Sequence, residues 1–323
     1  MKIGIVGATG EVGRTMVKVI EEMNINIKEL HLFASKKSAG THIKFKKNEI
    51  IVEELTEDSM KEKYDYLLFS AGSEISKKYA LIAQNHGNII IDNSSAFRQE
   101  KNIPLVIPEI NYQKLKNYKG IIANPNCSTI QMLLALNKIH KQFQIKDIYV
   151  STYQAVSGAG KKGMNELLFQ QNGSKAVSHF PTIISNNVIP VIGDIEENGF
   201  TTEEMKMINE TQKIFEDNSI NIYPTAVRVP VLYGHSESIL FKTNKKTTLN
   251  KVKELLENSE NIIYTDELIT PLKVESSNMT YVSRLRKMND SFLIWVVADN
   301  VRVGAATNAV RILLKHKELN NIE

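Results

Sequence analysis

The sequence predicts an α/β protein in two parts: a βαβ domain with a mostly parallel sheet, then an α+β domain with a mixed sheet. Three observations carry this expectation. The first third alternates short β-branched runs with amphipathic helical stretches, the rhythm of βαβ units. After about residue 127 the rhythm changes to helices between longer strands. The 323 residues suit two domains at roughly 100–200 residues each.

In chain order, Ile3 to Val6 reads as a buried strand. Glu11 to Met23 reads as a helix with Val12, Met16, Val19 and Ile20 on one face. Leu30 to Ala34, Tyr64 to Ser70, Asn88 to Asp92 and Ile121 to Ala123 read as further strands. Ser73 to His86 forms a helix closed by Gly87. In the second part, helices are expected over Thr129 to Phe143, Lys161 to Gln171, Thr202 to Phe215 and Leu249 to Asn258. Strands are expected over Asp147 to Ala155, Ala226 to Val231, Ser236 to Thr243 and Phe292 to Ala298. A last helix, Ala305 to Lys317, carries Ala309, Ile312 and Leu313 as its apolar face and can return to the first domain.

Composition narrows the function. Hydrophobic residues make up 42% and charged residues 24%, near globular averages, which excludes disorder and collagen-like structure. A net charge of +4, dispersed along the chain, lacks the concentrated basic face of a nucleic-acid binder and suits small anions. No apolar run approaches the roughly 18 residues of a membrane span, and no targeting segment is visible. The single cysteine, Cys127, excludes an intrachain disulfide and points to a reducing, cytoplasmic setting. No metal site is expected.

The first candidate site is Gly7-Ala8-Thr9-Gly10-Glu11-Val12-Gly13, which follows a strand and opens a helix. Small residues there let backbone N–H groups and the positive helix end face a pyrophosphate. About 20 residues on, an NAD site places a carboxylate for the ribose 2′-hydroxyl. Here the second strand ends in Phe33-Ala34-Ser35, followed by Lys36, Lys37 and Ser38. Hydroxyls and two cations favour a 2′-phosphate, hence NADP; the bland alternative is a solvated lysine loop.

The second candidate is Cys127, between a strand and a helix in Asn124-Pro125-Asn126-Cys127-Ser128-Thr129. A free cysteine is more often a small buried hydrophobe than a nucleophile. At a helix N-terminus, however, unpaired N–H donors and the macrodipole favour the thiolate. Beside a nicotinamide site this suggests acyl-thioester dehydrogenase chemistry, which needs an acid/base partner. Among seven histidines, His235 stands out because Gly234 interrupts its strand, a sign of a bulge or a ligand approaching the backbone. Spacing alone does not decide it.

Seven separated segments taken together resemble aspartate-β-semialdehyde dehydrogenase, in its shorter, Gram-positive-like branch. They are GATGEVG from Gly7, SSAFR ending at Arg98, NPNCST around Cys127, TYQAVSGAG from Thr152, EEMK ending at Lys206, RVPVLYGH from Arg228 and ADNVRVGAA from Ala298. The resemblance runs in order over essentially the whole chain. It implies a Rossmann-like NADP-binding domain over 1–126 plus 302–323, and a catalytic and dimerisation domain over 127–301. It also implies NADPH-dependent reductive dephosphorylation of L-aspartyl-4-phosphate to L-aspartate 4-semialdehyde, on the route to lysine, threonine and methionine. The assembly implied is a homodimer or tetramer.

Residue by residue, the resemblance makes Cys127 the nucleophile, His235 the general acid/base and Gln154 the residue that orients substrate. It gives the α-carboxylate to Arg228, the ammonium to Glu203, the phosphate to Arg98 and Lys206, and support of the nucleophile to Asn126. Glu204 adjoins Glu203, so that choice rests on alignment. For the cofactor it indicates Gly7, Thr9, Gly10, Glu11 and Val12, the loop of Ser35, Lys37 and Ser38, and Ser157, Gly158 and Asn300. The nearest rival, N-acetyl-γ-glutamyl-phosphate reductase, typically shows Pro-Gly-Cys-Tyr where this chain reads Pro-Asn-Cys-Ser, and it has no use for an ammonium-binding carboxylate. Glyceraldehyde-3-phosphate dehydrogenase usually has Ser-Cys-Thr-Thr there. A non-catalytic NADP-binding regulator is a third reading, opposed by the intact set of Cys127, Gln154, Arg228 and His235.

Overall fold

A computed structural model describes residues 1–322. The chain forms two compact units, Met1–Pro125 with the segment from Ala305 onward, and Asn126–Gly304.

The first unit opens with β1 (Lys2–Val6), α1 (Glu11–Glu22) and β2 (Glu29–Ala34). A hairpin of β3 (His42–Phe45) and β4 (Asn48–Glu54), absent from the sequence expectation, follows, and then α2 (Glu57–Lys61). Next come β5 (Tyr66–Phe69), α3 (Ser73–Asn85), β6 (Ile89–Asp92), α4 (Pro108–Asn111) and β7 (Ile121–Ala123). The seven strands lie in the order β3-β4-β2-β1-β5-β6-β7, parallel except for the antiparallel β3–β4 pair. The hairpin escapes the period-two reading because four charged residues interrupt its short apolar alternation. The core holds Ile3 and Ile5 of β1, Met16 and Ile20 of α1, and Ala309, Ile312 and Leu313 near the C-terminus. The expected last helix starts late: Arg302–Thr307 winds as a π-helix, and the α-helix proper is Asn308–Leu319.

The second unit begins with α5 (Cys127–Phe143), two residues earlier than expected. It continues through β8 (Ile145–Gln154), α6 (Gly160–Gln171), α7 (Thr202–Phe215), β9 (Asn221–Arg228) and β10 (His235–Thr243). The last elements are α8 (Leu249–Glu257), β11 (Ile262–Tyr264), α9 (Pro271–Val274), β12 (Thr280–Met288) and β13 (Ser291–Ala298). The sheet order is β11-β12-β13-β10-β8-β9, with β8–β9 and β11–β12 parallel and the other pairs antiparallel. It is the mixed sheet expected.

One strand assignment is corrected. The expected strand Ala226 to Val231 ends at Arg228, and His235 starts a separate strand rather than continuing an interrupted one. β8 lies between β9 and β10, so residues 229–234 must cross its end. Backbone N–H groups of Val156 and Ser157 hold this crossing through the carbonyls of Val231 and Leu232. Gly234 closes it at φ +89°, where a Cβ would sit 2.9 Å from Pro271. This topology matters for function. Gln154 pairs with Arg228 in register, and Tyr153 with Ser236, so Gln154, Arg228 and His235 end up at one end of the sheet.

Candidate active site

In the first unit the glycine loop turns tightly between β1 and α1. Gly7 lies at φ +81°, and its N–H donates to the Phe33 carbonyl at 2.8 Å. A Cβ on Gly13 would meet the Gly7 oxygen at 2.3 Å, so only glycine lets α1 start this close to the turn. Thr9, Gly10, Glu11 and Val12 therefore surround the N-terminus of a 12-residue helix whose first N–H groups need partners. Ser35 and Lys37 are exposed in the turn after β2, and Ser38 N–H donates back to the Ser35 carbonyl at 2.8 Å. The loop fits a dinucleotide phosphate. Arg98 also belongs to this unit, buried, with Nε donating to the Asn124 carbonyl at 2.9 Å and Nη2 to the Asn93 carbonyl at 2.7 Å.

The second unit gathers the other candidates. Asn126 is the N-cap of α5: its Oδ1 accepts from the N–H groups of Ser128 at 3.0 Å and Thr129 at 3.3 Å. Cys127 is thus the first helical residue rather than a loop residue, partly exposed at the positive end of a 17-residue helix. Gly304 packs directly on it; a Cβ there would lie 2.4 Å from the Cys127 Cβ.

Around the cysteine stands a charged network. Asn126 Nδ2 donates to Glu203 Oε1 at 2.8 Å, and Lys206 Nζ lies 3.0 Å from Glu203 Oε2. Gln154 Nε2 donates to Ser128 Oγ at 2.9 Å and to Glu203 Oε1 at 3.4 Å. Burial alone would raise the Glu203 carboxyl, but Lys206, Asn126 and Arg228 outweigh it and bring the pKa to about 2. Glu203 is therefore a buried carboxylate. Its neighbour Glu204 serves the fold instead. There Oε2 accepts the Thr201 N–H, one half of a capping box on α7, and Oε1 accepts the Ala226 N–H.

Arg228 Nη1 donates to the Ala155 carbonyl at 2.7 Å, and a Cβ on Gly158 would sit 3.1 Å from that nitrogen and 3.3 Å from His235 Nε2. Arg228 and His235 thus converge on one glycine. His235 is fully buried, and its Nδ1 accepts the Ala155 N–H at 3.0 Å. That bond places the proton of the neutral ring on Nε2, which has no partner. Burial first and Arg228 second push its pKa down to about 3, against the pull of Glu203. His316, also buried, is satisfied on both ring nitrogens by Tyr66 and the Tyr118 carbonyl, so an open nitrogen is not a general consequence of burial here. Asn300 Nδ2 donates to Ser157 Oγ at 3.0 Å, and its Oδ1 accepts the Gly234 N–H at 2.9 Å.

Sequence reading missed several supports. Glu210 Oε2 accepts the Asn126 N–H at 2.6 Å. Its position seven residues after Glu203, on the same face of α7, was the available signal. Ser128, which anchors Gln154, and Gly304 gave none. Cys127, Asn126, Gln154, Glu203, Lys206, Arg228 and His235 form one constellation: a thiol at a helix start, a histidine with a free nitrogen, a buried guanidinium and a buried carboxylate. Such a set can form and release a covalent acyl group while holding a substrate that carries both a carboxylate and an ammonium.

Residues 2–118 match the family described as semialdehyde dehydrogenase, NAD binding domain, and residues 136–303 the semialdehyde dehydrogenase dimerisation domain. Aspartate-semialdehyde dehydrogenases from Aquifex aeolicus and Campylobacter jejuni are each 44% identical to the chain. The first match covers 96% of both sequences, the second 99% of this chain and 98% of the relative. A solved structure of aspartate semialdehyde dehydrogenase II from Vibrio cholerae, complexed with ASA, superposes with a TM-score of 0.94 at 42% identity. It covers 97% of each chain.

Proposed function

The chain belongs to the semialdehyde dehydrogenase family, among its aspartate-semialdehyde dehydrogenases, and from this we propose how its residues carry the reaction. The reaction is reductive dephosphorylation of L-aspartyl-4-phosphate to L-aspartate 4-semialdehyde with release of phosphate. The observation that carries the residue assignment is the convergence of Arg228 and Glu203 beside Cys127 and His235, one cation and one anion for an amino acid's two charged groups.

Cys127 attacks the acyl carbon. The C–S bond forms as the C–O bond to phosphate breaks, leaving a thioester on the sulfur. Arg228 takes the α-carboxylate in a bidentate grip, and Glu203 takes the ammonium. Lys206, about a third exposed at its side chain, is placed for the phosphate; Arg98 is assigned to phosphate as well. Gln154, fixed by Ser128 and Glu203, orients the acyl group. The NADP loop consists of Gly7, Thr9, Gly10, Glu11 and Val12 with Ser35, Lys37 and Ser38; Ser157, Gly158 and Asn300 are cofactor residues of the catalytic unit. NADPH, when bound, supplies the hydride that reduces the thioester carbon. His235 presents its Nε2 proton as a hydrogen bond to the substrate oxygen. When the carbonyl re-forms, the C–S bond breaks and its electron pair leaves on the Cys127 sulfur. His235 in its cationic form gives that sulfur a proton as general acid, and takes one from it in the oxidative direction.

The homodimer is assigned to the exposed sheet face where Tyr149 and Tyr223 stack at 4.5 Å, with a tetramer as its larger form and the cytoplasm as its setting. Among the described residues no helix is long and apolar enough to cross a membrane. The test follows NADPH absorbance as purified protein meets L-aspartate semialdehyde, phosphate and NADP, omitting each in turn. Signal requiring all three is expected, and Cys127→Ala should abolish it while NADPH still binds. Turnover only with N-acetylglutamate semialdehyde would overturn the substrate assignment.

A further inference from the structure

We propose that Glu237, two residues past His235, serves as a neutral carboxylic acid that positions His235 against Cys127 through the side chain of Gln131. The inference rests on the reading of Cys127 and His235 as nucleophile and proton carrier.

Glu237 is fully buried within β10. The two-residue strand period puts it on the same sheet face as His235. Its register neighbours are Thr152 on β8 and Val296 on β13, and the uncharged Gln131 faces it from α5. Neither Glu237 oxygen makes a hydrogen bond of ordinary geometry, and Thr152 Oγ1 and Gln131 Oε1 are likewise buried without partners. Gln131 Nε2 donates to the His235 carbonyl at 3.3 Å. Because Gln131 stands four residues after Cys127, it lies on the same face of α5 one turn on, and so ties the nucleophile's helix to the histidine's strand.

The protonation state follows from what these atoms lack. A carboxylate only accepts, so it would leave the Gln131 Oε1 acceptor unmet and add a buried charge. A neutral carboxyl can donate its O–H to Gln131 Oε1, which meets that acceptor and removes the buried charge. Burial pushes the carboxyl well above its ordinary range, against the opposing pull of the Gln131 amide. The resulting bonds run in one direction, from the Glu237 O–H through the Gln131 amide to the His235 carbonyl, and each polarises the next.

The test uses the full-length enzyme with Glu237→Gln, Glu237→Leu and His235→Asn. An infrared difference spectrum between wild type and E237Q at neutral pH should show a protonated-carboxyl C=O band. E237Q, whose amide can donate and accept as the acid does, should keep kcat within about threefold. E237L should lose about tenfold in kcat with little change in KM, as expected when a reacting group is misplaced slightly. A carboxylate band, an E237Q as impaired as E237L, or an E237L with full kcat would each overturn the inference. The infrared comparison decides the protonation state even if E237L does not fold. H235N separates the two levels: wild-type kcat there would refute the reading of His235 itself. Loss of turnover in H235N with full kcat in E237L would refute only the role of Glu237.

Discussion

Replacing Glu203 by glutamine removes the charge at the centre of the site and leaves its shape. In the native chain that carboxyl sits at about 2 instead of 4.5, because Lys206, Asn126 and Arg228 together overcome the cost of burial. The gap corresponds to about 3 kcal/mol of native-state stabilisation. The sign is that of a depressed acid: the contribution is complete above pH 4.5 and is lost as pH falls from there toward 2. Glutamine still offers an oxygen to Asn126 but leaves Lys206 and Arg228 facing each other without an anion between them. E203Q should therefore be less stable than wild type by about 3 kcal/mol at pH 7, and the difference should shrink toward zero as the pH approaches 2. The chain's single tryptophan, Trp295 on β13, reports on the catalytic unit alone, so urea unfolding followed by its fluorescence is the assay. A difference under about 1 kcal/mol at pH 7, or one of equal size at pH 3, would refute the reasoning.

Three further outcomes are expected. Gly158→Ala puts a methyl 3.1 Å from Arg228 and 3.3 Å from His235 at a position without positive φ; kcat/KM should fall about a hundredfold with Tm nearly unchanged, and wild-type kcat/KM would show that substrate does not enter there. Changing Lys36 and Lys37 together to alanine should weaken NADP about tenfold more than NAD in paired titrations; equal losses would make the loop merely solvated. Because His235 lies near 3 in the free enzyme, kcat/KM should show no protonation limb of this residue between pH 5 and 8, since that ratio reports the free enzyme; a limb there that vanishes in H235N would contradict the geometry.

Much of the first unit was legible because its signals are local. The glycine loop, the apolar stripe of α1 and the β-branched strands each declare themselves within a dozen residues. The hairpin β3–β4 did not, since four of its eleven residues are charged and its apolar alternation is short. In the site, types and order of residues were readable, but partnerships were not. Arg228 and His235 look like one strand until β8 is found between them, a fact of sheet order that spacing does not encode. The choice between Glu203 and Glu204 was more accessible than it looked. Thr201-x-x-Glu204 is a capping-box signature, which commits Glu204 to the helix end and leaves Glu203 for the site. The contact of Gly304 with Cys127 joins positions 177 apart in sequence and has no local trace.

The charges of the site also explain how a buried histidine can serve as a proton carrier. With Ala155 N–H on Nδ1 and Arg228 nearby, the free enzyme holds the ring neutral with its proton on Nε2, which suits a hydrogen bond to a substrate oxygen and disfavours the cation. Complete proton transfer needs that cation, and an imidazolium would set its Nδ1–H against the Ala155 N–H. Two changes would lift these barriers. A substrate α-carboxylate on Arg228 would cancel the charge that opposes protonation, and rotation of the ring away from the Ala155 N–H would remove the donor–donor conflict. On the proposed assignment the substrate supplies the first, so an anion on Arg228 raises the proton affinity of His235, which burial otherwise holds down. The crowding at Gly158 makes Arg228 and His235 neighbours near enough for this coupling. The residue proposed to hold the amino acid's carboxylate therefore also bears on the proton affinity of the residue proposed to act on it.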